Sequence, residues 1–98
     1  MARKHTFLNG EFSERWKKGY ESLQSAQQNS VDKVVIALLK QKPTPGMRVK
    51  PIEPDKYYYE ARINDGDRLI HRINEGTIYF IDIVSHDDIG KYSTERSR

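Results

Sequence analysis

The sequence predicts an α+β domain in which an N-terminal helical hairpin packs on one face of a small antiparallel β-sheet and leaves the other face open. Three observations carry that expectation. Apolar residues recur at helical spacing through the first half of the chain. The second half holds three runs rich in β-branched and aromatic residues. Two three-residue spacers, Asn64-Asp65-Gly66 and Asn74-Glu75-Gly76, separate those runs, and each ends in glycine as a hairpin loop with a left-handed last residue requires.

In chain order, residues 3–9 read as a short strand with Thr6-Phe7-Leu8 as its apolar part. Asn9 is an N-cap candidate for a helix reaching to about Gln28, because Phe12, Trp16, Tyr20 and Leu23 fall on one stripe with charged residues between them. Ser25 to Asn29 is polar and is expected to hold the turn. Ser30 then caps a second helix whose stripe is Val31, Val34, Val35, Leu38 and Leu39. The run Lys42-Pro43-Thr44-Pro45-Gly46 stops it. Met47 to Ile52 reads as an edge strand limited by Pro51. The 98 residues make one domain, with the hairpin at about 9–42, the sheet at about 47–86 and a mobile polar tail at 93–98.

Taking both spacers as three-residue loops sets Arg62 opposite Arg68, Ile70 opposite Phe80, and Arg68 opposite Asp82. Side chains alternate across a strand, so the odd-numbered residues form a core face that includes Ala61, Leu69, His71, Tyr79 and Ile81. The even face gathers Tyr58, Glu60, Arg62, Arg68, Arg72, Phe80, Asp82 and His86. One face is oily and expected to lie under the helices. The other mixes arginines, carboxylates and a histidine.

Composition narrows the classes. No cysteine is present, so there is no disulfide framework or thiolate chemistry, as suits a reducing cytoplasm. No apolar run approaches the ~20 residues of a membrane span. A net charge of +3 is compatible with a polyanionic partner without requiring one. The three histidines, at 5, 71 and 86, show no ligand spacing, so neither a metal nor another cofactor is expected.

With MRVKPI after the helical hairpin, then YYYEARIN, DRLIHRI and TIYFIDIVSHDDIGKY, the chain resembles the RelE/ParE superfamily of toxins from bacterial toxin–antitoxin modules. The resemblance spans the chain by order of elements and is most specific between Met47 and Tyr92. It implies the RelE-like fold, a cognate antitoxin as partner and, in the RNase branch, cleavage of mRNA, often on the ribosome, through the RNA 2′-OH. It also implies site residues. Arg68 matches a phosphate-binding arginine. Glu60 and Arg62 fall where members place paired lysines or other polar catalytic groups. His86 falls where an arginine or histidine follows the last strand, and Tyr92 matches a C-terminal tyrosine. Glu60 and His86 depart from the all-basic version and look more like members that use a Glu/His pair for proton transfer.

The residue chemistry agrees. Attack by an internal 2′-OH needs a base for that hydroxyl, an acid for the 5′-oxygen and positive charge around the phosphoryl oxygens. An imidazole, with an ordinary pKa of ~6.5, serves either proton role near neutrality, and arginine supplies a planar fork for phosphate. Tyr58, Phe80 and Tyr92 are the candidates for stacking on a base. Plainer readings remain open. Arg68 with Asp82 or Glu60 would make cross-strand ion pairs, His71 is a core histidine, and Arg48 and Lys50 suit a solvated charged face. Two other functions also fit: a ParE-like inhibitor of DNA gyrase that cleaves nothing, and a non-toxic binding module on the same fold.

Overall fold

Ser13 is where the chain passes from strand to helix. A computed structural model describes residues 7–54 and 56–92. The proposed tail at 93–98 and the start of the 3–9 strand lie outside the described residues. Asn9–Phe12 form β1, and Ser13 follows as N-cap of α1, Glu14–Glu21, its Oγ accepting from the Trp16 amide at 3.0 Å. Such a cap contributes about 1 kcal/mol. The helix expected from Asn9 therefore begins five residues later. Phe12 shares the stripe of Trp16, but it does so from the end of a strand, with ring centroids 4.7 Å apart.

The second helix differs in the opposite sense. α2 spans Ser25–Leu39, so the polar run expected to be a turn forms its first turn. A capping box explains this: the Gln24 side chain takes the backbone of Gln27, and the Gln27 side chain takes the backbone of Gln24. The Tyr20 hydroxyl donates to Asp32 at 2.8 Å, tying α1 to α2. A 3-10 turn at Pro45–Met47 follows, so the expected strand at Met47 to Ile52 shrinks to β2, Lys50–Pro51.

β3 (Tyr59–Arg62), β4 (Asp67–Asn74) and β5 (Thr77–Ser85) form the meander, and the sheet order is β1-β5-β4-β3-β2. The sheet is mixed, because β1 pairs with β5 in parallel. The β3–β4 register is the expected one, with Arg62 opposite Arg68 and Ala61 opposite Leu69. The β4–β5 register is not. Glu75 and Gly76 both have positive φ, 48° and 83°, and make a two-residue loop that sets Asn74 opposite Thr77. A bulge then leaves Ile81 without a partner between the pairs His71–Phe80 and Ile70–Asp82. Its carbonyl is satisfied by the Ser13 hydroxyl at 2.6 Å, so the residue that caps α1 also fills the gap in the ladder.

These shifts change the faces of β5. Ile78 and Phe80 point under the helices and join Trp16, Val31, Val34, Leu38, Ala61 and Leu69 in the main core, where Phe80 stacks on Phe12 at 4.7 Å. Ile81 packs on the second face with Ile52, Ile70, Val84 and Tyr92. Phe80 is therefore core and not a surface for stacking bases, and Tyr79 and Ile81 are not core-face residues. Arg68 lies opposite Val84, so the ion pair expected with Asp82 does not form. His71 is fully buried, as its place on β4 suggested. Neither of its ring nitrogens makes a well-formed hydrogen bond among the described residues. Burial pushes the imidazole down to about 4, with the Leu69 backbone opposing the shift.

Candidate active site

The β3–β4 loop organises the charged end of the second face. Asn64 folds over it, its Oδ1 accepting from the amides of Gly66 (2.8 Å) and Asp67 (2.9 Å). That fold aims three carbonyls at one point. The Arg68 Nη1 donates to the carbonyls of Asn64, Asp67 and Asp65 at 2.8, 3.0 and 3.3 Å. The guanidinium is thus fixed from one side, while its Nε lies 3.6 Å from the Glu60 carboxylate. Both side chains are largely buried, 14% and 12% exposed.

Glu60 stands in β3 between Lys50 of β2 and Ile70 of β4. Arg62, directly across from Arg68, bonds the Asp65 carboxylate. Arg48 has a left-handed backbone (φ 46°) that ends the 3-10 turn at Pro45–Met47. His86 leaves the end of β5 with its amide donating to the Gly66 carbonyl at 2.8 Å, so the same loop that holds Arg68 holds the His86 backbone. Its ring is exposed, with Nδ1 3.9 Å from Asp87. Together Arg48, Lys50, Glu60, Arg62, Arg68, His86 and Ile89 line a cleft of about 300 Å³.

Four of the five residues expected at the site, Glu60, Arg62, Arg68 and His86, meet in this cleft. Tyr92 does not. It is buried, 4% exposed, in the apolar cluster beside the cleft, and its hydroxyl donates to the Asp82 carboxylate. Burial, and next that hydrogen bond, push the Tyr92 phenol well above its ordinary range, which keeps it a donor. Of the stacking candidates, Tyr58 and Tyr92 meet edge to face at 5.0 Å, and neither they nor Phe80 lines the cleft.

The sequence reading missed Arg48 and Lys50 as members of the group. Their signal was the alternation in MRVKPI, which sets both against Met47 and Val49. The electrostatics make them important. Like charges directly opposed across a strand pair are unfavourable, and Arg62 and Arg68 are so opposed. Each has a carboxylate. Arg48 and Lys50 have none among the described residues, so the cleft keeps a surplus of positive charge. No group of three or more His, Cys, Asp or Glu side chains suited to a metal ion occurs among the described residues. No described helix is long and apolar enough to cross a membrane.

No protein-family model and no curated protein sequence matches the chain. Its structure is similar to solved toxins. YafQ from E. coli superposes with a TM-score of 0.71 at 15% identity, over 84% of this chain and 97% of that one. A metal-bound toxin from Helicobacter pylori gives 0.70 at 20% identity, over 83% and 97%. A chain of the toxin–antitoxin complex RelBE2 from Mycobacterium tuberculosis gives 0.65 at 17% identity, over 83% and 100%. The fold is therefore the RelE-like fold, as the order of elements had suggested.

Proposed function

We propose that this chain is the toxin of a toxin–antitoxin module and acts as an endoribonuclease on mRNA. The observation that carries the reading is the convergence of Glu60 and His86 with four cationic side chains in one cleft. An inhibitor that acts by binding alone has no need of paired proton-transfer groups beside a phosphate-sized cluster of positive charge. The likeness in fold to YafQ and to RelBE2 supports the same reading.

In the reaction, one of Glu60 and His86 removes the proton of a ribose 2′-OH. The 2′-oxygen attacks the adjacent phosphorus, the bond to the 5′-oxygen breaks, and the other group protonates that leaving oxygen. The products are a 2′,3′-cyclic phosphate and a 5′-hydroxyl end. Arg68, fixed by three carbonyls, presents its remaining edge to the phosphoryl oxygens, and Arg62 faces it across the strand pair. Arg48 and Lys50 draw the flanking backbone into the cleft. A cognate antitoxin covers this surface until it is released, as the solved complexes of DinJ with YafQ and of RelBE2 suggest by analogy.

The test is to induce the chain without its antitoxin and map mRNA 5′ ends. New ends bearing 5′-hydroxyls are expected within coding regions, and ribosome-bound mRNA is the substrate to compare with free mRNA. Growth arrest with intact mRNA overturns the nuclease reading, and gyrase-dependent DNA damage in its place selects the ParE-like alternative.

A further inference from the structure

A second and larger cavity adjoins the cleft. It measures about 510 Å³ and lies between α2 on one side and the 3-10 turn with the β3–β4 loop on the other. Ser30, Lys33 and Val34 contribute from α2, at the i, i+3, i+4 spacing that puts them on one side of a helix. Arg62 lines both this cavity and the cleft, and is the link between them.

We propose that this cavity is a subsite for the nucleotide one position beyond the pair that flanks the scissile phosphate of single-stranded RNA, with Lys33 and Arg62 taking the phosphate that joins it to that pair. This rests on the endoribonuclease reading and adds to it where the substrate strand runs. The chemistry of the walls fits a nucleotide. Val34, Met47 and Ile63 give an apolar floor continuous with the main core, suited to the face of a base. Ser30 and Thr44 also line it, and their hydroxyls are partners for a base or ribose.

The charges point the same way. Lys33 is exposed and has no carboxylate partner among the described residues, although it lines this cavity. Arg62 is held by Asp65, an almost fully exposed carboxylate (94%) from the loop between its own strand and the next. A contact so exposed to solvent is weak, so a phosphate displaces Asp65 at little cost. Asp65 thus holds Arg62 at the junction until a phosphate arrives.

The experiment measures binding of fluorescein-labelled, fully 2′-O-methylated oligoribonucleotides, which cannot be cut, to the purified full-length chain by fluorescence anisotropy. A dinucleotide spans only the cleft, and a tetranucleotide reaches the subsite. Lys33→Glu is expected to weaken the tetranucleotide about tenfold and lower its salt slope by about one, while leaving the dinucleotide unchanged. Lys18→Glu makes the same charge change on α1 and controls for net charge. Asp65→Asn frees Arg62 and is expected to tighten the tetranucleotide. The subsite is overturned if Lys33→Glu and Lys18→Glu behave alike at both lengths. If Lys33→Glu weakens the tetranucleotide but Arg68→Lys leaves both ligands unaffected, the subsite stands and the reading of the cleft fails. If the wild-type chain binds neither ligand, both fall together.

Discussion

The second face of the sheet carries two carboxylates near arginines, and they are held in opposite ways. Asp82 is buried beside Ile70, Val84 and Tyr92, and both its oxygens are engaged: Oδ1 by the Ile83 amide at 2.8 Å and Oδ2 by the Tyr92 hydroxyl. Glu60 faces a cleft that also holds Arg48, Lys50, Arg62, Arg68 and His86. At the first end the carboxylate and the phenol satisfy each other inside the fold. At the second, positive charge exceeds negative and an imidazole stands in solvent. A satisfied, dry arrangement holds structure together, and an arrangement with charge left over is suited to a ligand. The difference separates Tyr92 from the residues with which the sequence grouped it.

The largest expected effect lies at the open end. His86→Gln should lower cleavage by ~10²–10⁴-fold, the usual contribution of a general acid or base. Because the ring is exposed, the thermal unfolding curve should superimpose on that of the wild-type chain. End-mapping of mRNA and circular dichroism check the two halves of this expectation. A variant that cuts normally removes His86 from the chemistry and leaves the charged end as a binding surface only.

How far the sequence revealed this contrast depends on which strand is considered. The β3–β4 hairpin was legible, because Asn64-Asp65-Gly66 is strong turn chemistry and its register places Glu60, Arg62 and Arg68 together. β5 was not. Asn74-Glu75-Gly76 serves equally as a three-residue loop, and nothing local marks Ile81 as a bulge, since the bulge is stabilised by Ser13 from 68 residues away. The shifted register moved Phe80 into the core and set Asp82 opposite Ile70 instead of Arg68. The start of α1 was lost for a similar reason: Phe12 keeps the helical spacing to Trp16 while belonging to β1, whose pairing with β5 is a tertiary fact. Arg48 and Lys50 were visible as charges, but their convergence depends on the short pairing of β2 with β3.

His71 extends the comparison to the helix face, where a polar ring is buried with no charge to match. Its imidazole lies at about 4 in the folded chain against 6.5 when unperturbed. The unfolded chain therefore takes up the proton first as pH falls. Stability is full above about pH 6.5 and is lost as pH drops toward 4, by at most about 3 kcal/mol. Urea unfolding at pH 7 and pH 5 should show the loss, and His71→Leu should flatten it. An equally steep fall in the variant would assign the acid sensitivity to the carboxylates of the second face.

At the closed end, Tyr92→Phe removes the hydroxyl from a buried carboxylate and should cost about 1–3 kcal/mol of stability. Any change in cleavage should then follow from the loosened turn that carries His86 and Ile89, and stabilising conditions such as lower temperature should restore it. Loss of cleavage with stability unchanged would instead return Tyr92 to the chemistry.

The smallest effect is expected at Arg15, and it tests the contrast most directly. Its guanidinium reaches the Asp82 carboxylate at 3.7 Å, but the side chain is 65% exposed, so water screens the attraction and competes for both ends of it. Asp82 is then held by the Tyr92 hydroxyl and the Ile83 amide, not by charge. Arg15→Ala should leave the urea midpoint within measuring error and show no dependence on salt beyond that of the parent. Should Arg15→Ala destabilise as much as Tyr92→Phe, with the loss fading at high salt, Asp82 would be an ion-paired carboxylate of the same kind as Glu60. Pairing alone would then not distinguish the two ends of the face, and the assignment of the open end would rest on Arg48, Lys50 and His86.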